Sequence, residues 1–145
     1  MSTLNFRDVP QTPLTRALGL IIDDYGNDGD AEAGCTWLTG HIDAGPEHHQ
    51  PMGIVHGGVY CSMVESLASV AAYTWIAANG GGSVVGVNNN TDFLRAISGG
   101  TVYGTAVPIH RGRRQQLWQV SVVDSGDRLV ARGQVRLQNL ETEAG

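Results

Sequence analysis

At 145 residues, 41% hydrophobic and 16% charged, the chain is long enough for one domain around one core and gives no sign of a second. Its net charge is −5, yet residues 1–65 hold nine acidic and two basic side chains, whereas residues 93–136 hold seven arginines against Asp124 and Asp127. That asymmetry argues against a nucleic-acid partner and for a local anion site.

In chain order, residues 1–14 carry Pro10 and Pro13 and are expected as a leader. Residues 19–25 read as a strand, Gly26-Asn27-Asp28-Gly29-Asp30 as a turn, and residues 31–42 as the returning strand. Residues 44–54 are expected as loop, because Pro46, Pro51 and Gly53 break any regular element. His56-Gly57-Gly58 then delivers the chain into a long buried helix over 59–78, which Asn79-Gly80-Gly81-Gly82 ends. Four strands are predicted after it, at 84–90, 101–110, 116–124 and 128–138, with Asp124-Ser125-Gly126-Asp127 as a hairpin turn. In the last strand Leu129, Ala131, Gly133, Val135 and Leu137 fall on one side, and Arg128, Arg132, Gln134 and Arg136 mostly on the other. Residues 139–145 are expected as a flexible tail. The order β-β-α-β-β-β-β predicts an α+β domain, one long helix against one largely antiparallel sheet.

The helix holds the most informative residue. Glu65 is the only Asp, Glu, Lys or Arg between Glu47 and Asp92, and a carboxylate in an apolar run needs a partner or a chemical role. Glu65, three serines and a threonine interrupt the run, and no charged-then-apolar signal opens the chain, so no membrane association and a cytoplasmic location are expected. Cys35 and Cys61 lie far apart in different elements, as suits reduced thiols. At 100° per residue, Gly58, Cys61, Ser62, Ala68, Ser69 and Ala72 fall near Glu65, and Val59, Tyr60, Met63, Leu67, Val70 and Thr74 fall on the side expected to meet the sheet.

The Gly57 turn presents bare backbone N–H groups at the helix start, an anion-binding feature. Glu65 lies eight residues further on, about 12 Å along the axis at 1.5 Å per residue. A base or nucleophile and an oxyanion donor must both lie about 3 Å from one reacting carbonyl. One helix cannot supply both. If both act, a second copy must run antiparallel beside the first, so that Gly57 of one chain meets Glu65 of the other in a dimer with two interfacial sites.

The motif Gln50-Pro51-Met52-Gly53-Ile54-Val55-His56-Gly57-Gly58, followed by Val64-Glu65-Ser66-Leu67-Ala68-Ser69, resembles the hotdog-fold acyl-CoA thioesterases. The nearest branch contains 4-hydroxybenzoyl-CoA and 1,4-dihydroxy-2-naphthoyl-CoA thioesterases. The resemblance continues through Val84-Val85-Gly86, Phe93-Leu94-Arg95, Pro108-Ile109-His110-Arg111-Gly112 and Leu117-Trp118-Gln119-Val120. It implies a metal-free homo-oligomer, a dimer that pairs into a tetramer, needing no cofactor beyond the coenzyme A of its substrate. It also implies that Glu65 is nucleophile or general base and that the Gly57 N–H is the oxyanion donor. Gln50 and His56 match residues that position the thioester and the loop, and Ser69 matches one that holds water or orients the carboxylate.

Arg111, Arg113 and Arg114, in the turn between two strands, and Arg95, after another, are candidates for the coenzyme A phosphates. His48 and His49 beside His56 lack a cysteine or carboxylate at a recognised ligand spacing, so no metal is expected. Asn90 and Phe93 stand where relatives place histidines near the acyl pocket, and Ala96 where the hydroxybenzoyl branch tends to have proline, which leaves the acyl group open. Ser69 and the 108–110 and 117–119 segments resemble the dihydroxynaphthoyl branch and menaquinone synthesis, Tyr60-Cys61 the hydroxybenzoyl branch; aromatic-acid breakdown and proofreading of carrier-protein thioesters fit equally. A hotdog hydratase or dehydratase, with His56 as its second catalytic group, and a non-catalytic acyl-CoA sensor are the alternatives.

Overall fold

The computed structural model describes residues 11–29 and 34–142. It contains helix α1 (Pro13–Leu18), strands β1 (Ile21–Gly26) and β2 (Trp37–Ala44), the long helix α2 (Gly57–Ala78), and strands β3 (Ser83–Phe93), β4 (Gly100–Arg111), β5 (Gln115–Asp124) and β6 (Leu129–Leu140). The six strands form one sheet in the order β1-β2-β4-β5-β6-β3, and every neighbouring pair is antiparallel. Helix α2 packs against one face and contacts five of the six strands. This is the hotdog arrangement, a long helix wrapped by an antiparallel sheet. Among the described residues no helix is long and apolar enough to cross a membrane.

The helix is seated by alternation on one side and missing side chains on the other. Trp118, Val120 and Val122 of β5 and Val135 and Leu137 of β6 are fully buried toward α2, as a period of two requires for a sheet with one covered face. Gly40 and Gly104 stand opposite each other in β2 and β4. A Cβ on Gly40 would be 2.8 Å from Leu67 Cδ2, and one on Gly104 would overlap Leu67 Cδ1. The two glycines make the hollow into which Leu67 fits. At the far end, Gln116 Nε2 donates to Ala72 O (3.2 Å) and Asn139 Oδ1 (2.9 Å), while Trp118 Nε1 donates to Gln116 Oε1 (2.8 Å). A buried amide with its partners supplied ties helix to sheet without an unsatisfied group.

Several sequence expectations are corrected. Residues 13 and 14, expected in a leader, open α1: Thr12 Oγ1 accepts from Thr15 N (3.3 Å), Pro13 sits at the helix start where its missing N–H is harmless, and Gly19 ends the helix at φ 68°. The returning strand begins at Trp37, because Thr36 serves the preceding loop, donating to Gly26 O (2.8 Å) and accepting from Asp28 N (2.9 Å); residues 31–33 of the expected strand lie outside the described residues. Strand β6 runs to Leu140, two residues into the expected tail. Leu129 is exposed, and Val130 and Ala131 are both buried, because a register shift at Val122/Val123 breaks the alternation there.

The helix faces are corrected too. Val70 and Thr74, expected toward the sheet, are half-buried, whereas Ala68 and Ala72, expected beside Glu65, are fully buried. The buried seam is 59/60, 63/64, 67/68, 71/72 and 75/76, and the open stripe is Cys61, Ser62, Glu65, Ser66, Ser69, Val70, Tyr73 and Thr74.

Candidate active site

The segment before α2 is pinned by its own histidines. His48 is buried; its Nδ1 accepts from Gly45 N (3.0 Å), which leaves the proton on Nε2 to donate to Leu18 O (2.8 Å). His49 Nε2 lies 2.5 Å from Ser98 O, and Val55 N donates to Ile97 O (2.9 Å). His56 N donates to His48 O (2.8 Å), and His56 Nδ1 accepts from Gly58 N (2.8 Å), so His56 is the N-cap of α2. These contacts occupy the three imidazoles with backbone. Among the described residues no group of three or more His, Cys, Asp or Glu is arranged to hold a metal ion.

Gln50 heads the turn inside this segment. Gly53 N donates to Gln50 O (3.0 Å), and Gln50 Oε1 accepts from Met52 N, leaving the amide NH2 without a partner among the described residues. The Gly57 N–H is likewise unpartnered among them, as a first-turn donor with no acceptor one turn back. Phe93 rests directly on the Cα of Gly57, and its ring centroid is 6.1 Å from that of Tyr60.

Glu65 lies two turns along the open stripe, half-buried, and forms no ion pair among the described residues. Its Oε2 accepts from Asn89 Nδ2 (3.0 Å), and the same nitrogen donates to Cys61 O (3.1 Å). Its Oε1 rests against Gly86, where any Cβ would overlap it. Ser69, one turn further, makes no hydrogen bond among the described residues, unlike Ser62 and Thr74, whose hydroxyls bond back to Gly58 O (2.7 Å) and Val70 O (2.8 Å). Its hydroxyl therefore remains available on the open stripe.

Strand β3 runs antiparallel to α2, with Phe93 against Gly57, and Asn89 and Gly86 against Glu65. Sequence reasoning gave Asn89 no role and took Gly86 only as part of the 84–86 motif, and no local signal brings them together: they are three residues apart, which puts them on opposite faces of a regular strand. Within the chain Gly57, His56 and Gln50 gather at the helix start, while Glu65 and Ser69 lie about 12 Å and 18 Å further along it, at 1.5 Å per residue.

The arginines divide. Arg111 Nη1 donates to Cys35 O (3.1 Å), and its guanidinium stands 5.7 Å from the centre of the Trp75 ring, so it braces the interior. Arg113 and Arg114 are exposed at the β4–β5 turn. They line a cleft of about 510 Å³ with Ile76, Asn79, Gly80 and Gln138 at the far end of α2. Arg95 is exposed just beyond Phe93, its backbone N–H on Val130 O (3.1 Å). Both cysteines are free. Burial pushes the Cys35 thiol up to about 11, against the lowering influence of the Trp37 backbone hydrogen bond and of the Arg111 charge, which makes it unreactive.

The thioesterase superfamily model matches residues 52–131. A protein of Mycobacterium tuberculosis strain H37Rv that carries the name esterase, Rv1847, is 58% identical over 130 residues, 89% of this chain and 87% of that one. Its solved structure superposes with a TM-score of 0.82, covering 91% of this chain and 99% of that chain. The structure of S. sahachiroi AziG, 41% identical, gives 0.81 with 92% and 100% covered. The 1,4-dihydroxy-2-naphthoyl-CoA hydrolase of Escherichia coli K12 is 39% identical over 80 residues, 55% of this chain and 57% of that one.

Proposed function

The chain belongs to the thioesterase superfamily as a thioester hydrolase, and from that membership we propose that it cleaves a ring-bearing acyl-CoA at two equivalent sites shared by a dimer. The observation that carries this reading is Glu65 itself. It is a half-buried carboxylate with no cation beside it among the described residues, held by an amide on the open stripe of α2. Such a group is placed to act on a substrate rather than to stabilise a fold.

Strand β3 supports the dimer. The other sheet edge, β1, is a short strand of six residues that carries Asp23 and Asp24, two of the usual protections of a free edge. Strand β3 has eleven residues, no proline and Asp92 as its only charge, and it exposes Val85, Val87 and Phe93. Antiparallel pairing of two β3 edges about a twofold axis would continue the sheet through both protomers and set the two open helix stripes side by side. Gly57 of one chain would then stand by Glu65 of the other.

At that junction the Gly57 N–H and the positive end of the α2 dipole stabilise the oxyanion of the tetrahedral species. Glu65 attacks the thioester carbonyl or takes the proton from an attacking water, with Ser69 and the Gln50 amide NH2 as orienting donors. His56 acts through its cap, holding the Gly57 turn. With Nδ1 given to Gly58 N–H it is less suited to the second acid–base role a hydratase needs. Phe93 and Tyr60 beside Gly57 suit an aromatic acyl group, in keeping with the naphthoyl substrate named for the Escherichia coli relative. Arg113 and Arg114, about 20 Å along α2 from Glu65, stand within a coenzyme A length, and Arg95 flanks the oxyanion end.

The test is thiol release from benzoyl-, 4-hydroxybenzoyl-, 1,4-dihydroxy-2-naphthoyl-, phenylacetyl- and straight-chain acyl-CoAs by wild type and Glu65→Gln. Turnover of a ring-bearing substrate that Glu65→Gln loses while remaining folded is the expected result. No turnover on any of them, or equal turnover by the variant, overturns it.

A further inference from the structure

We propose that Asn89 is the positioning residue for the Glu65 carboxylate, set in place by Thr91 and by a bulge in β3; this rests on the catalytic reading of Glu65 above. A carboxylate and a backbone carbonyl can only accept hydrogen bonds. Asn89 Nδ2 faces both, Glu65 Oε2 at 3.0 Å and Cys61 O at 3.1 Å, and so uses its two hydrogens. The amide oxygen accepts from Thr91 Oγ1 (2.7 Å). A flipped amide would turn its oxygen onto two acceptors, so the orientation is determined by the network.

The backbone explains why an asparagine can reach this place. Opposite β6, Gly86 pairs with Leu137 and Asn88 with the next residue, Arg136, so Val87 is an extra residue in β3. Leu137 and Val135 are fully buried toward α2, and their partners Gly86 and Asn89 face the helix with them. The bulge thus turns two residues three apart onto one face. Thr91, opposite Gly133, owes its space to that glycine, where a Cβ would stand 2.5 Å from Thr91 Oγ1. With Oε2 tied to Asn89 and Oε1 laid against the bare Gly86 backbone, the carboxylate is held at one end, and Oε1 is the oxygen left for substrate or water.

Two readouts test this on the intact protein. The side-chain amide ¹⁵N–¹H signals of Asn89, followed from about pH 4 to 8 across the carboxylate range, are expected to shift in wild type and to stay still in Glu65→Gln. In hydrolysis of the panel substrate that wild type turns over fastest, Asn89→Ala and Thr91→Val are expected to lower kcat about 10- to 100-fold, the loss typical of a misplaced catalytic group. KM should stay within about twofold, since only transition-state placement is lost, and Thr91→Ser, which keeps the hydroxyl, should restore wild-type kcat. A still Asn89 amide in wild type, or wild-type kcat in Asn89→Ala where Glu65→Gln is dead, overturns the Asn89 role alone. Full activity of Glu65→Gln, or a wild type inert on the whole panel, overturns the catalytic reading and this role with it. The amide signals and the Thr91 pair decide the matter even if Asn89→Ala does not fold.

Discussion

The Phe93 ring occupies the space that a side chain on Gly57 would need: a Cβ built there would stand 2.5 Å from Phe93 Cε2 and 2.7 Å from Cζ. The last residue of β3 and the first of α2 are thereby locked edge to tip, and the N–H assigned to the oxyanion lies beside an aromatic surface. Gly57→Ala should push the ring or the helix start away and lower kcat/KM by about 10- to 100-fold, the scale of a small misplacement at a reacting centre. Because Phe93 is 55% exposed, removing it opens the space, so Gly57→Ala/Phe93→Ala should recover activity relative to Gly57→Ala. Steady-state kinetics of the full double-mutant cycle measures this; losses that simply multiply would show the two positions to be uncoupled.

Gly86 makes a sharper case, since it touches the carboxylate. Its absent side chain is what allows Glu65 Oε1 to lie against β3. Gly86→Ala should force the carboxylate out of its place and reduce kcat about 100-fold. Because Glu65 can swing toward the open stripe, the melting temperature should change little. Unchanged kcat would mean that the reactive carboxylate does not rest there during turnover.

Charge placed on the β3 edge should separate the two chains of the proposed dimer. Val85→Lys combined with Val87→Lys puts two ammonium groups on each β3, and a twofold axis sets them against their copies. Sedimentation equilibrium is expected to show a monomer at concentrations where wild type is dimeric, with hydrolysis lost and partly regained at high protein concentration. A fully active monomer would sink the shared site.

Alkaline stability follows from two buried groups. Burial pushes the Tyr60 phenol from 10.0 up to about 12 and the Cys35 thiol from 9.0 up to about 11. Over that window the folded chain keeps protons that the unfolded chain has released, so stability is complete below about pH 9 and declines as pH rises toward 12. The Tyr60 hydroxyl is buried with no hydrogen-bond partner among the described residues. Tyr60→Phe should therefore match or exceed wild-type stability at neutral pH, by up to about 1 kcal/mol, and soften the alkaline decline. Urea unfolding at a series of pH values checks both; a large loss at neutral pH would mean that the hydroxyl has a partner in the assembled protein.

The helix and the two landmarks on which the proposed site rests were legible because their signals are local. A lone carboxylate in twenty apolar and small residues and a His-Gly-Gly entry are visible within a few turns, and the structure places both on α2. The hairpin at 124–127 was equally plain: Asp124 Oδ1 accepts from Gly126 N (2.9 Å) and Arg128 N (3.0 Å), the short-range capture that aspartate makes in turns. Arg111 shows the limit. Its neighbours Arg113 and Arg114 share its charge, but strand register alone turns Arg111 inward onto Cys35 and Trp75.

By itself the sequence determined the order of the six strands and the long helix, the α+β class, and that Glu65 and the His56-Gly57-Gly58 turn lie on one helix, since periodicity, turn chemistry and helical rise act over neighbouring residues. The same 1.5 Å rise required that any site using both Glu65 and Gly57 be shared between two chains. Tertiary structure alone decided what surrounds them: which helix positions are open, that Phe93 covers Gly57, and that Asn89 and Gly86 meet Glu65. The reason is physical. Those contacts depend on how far the sheet curls around the helix and on one extra residue at Val87, and a single-residue slip in strand phase reverses every side chain beyond it.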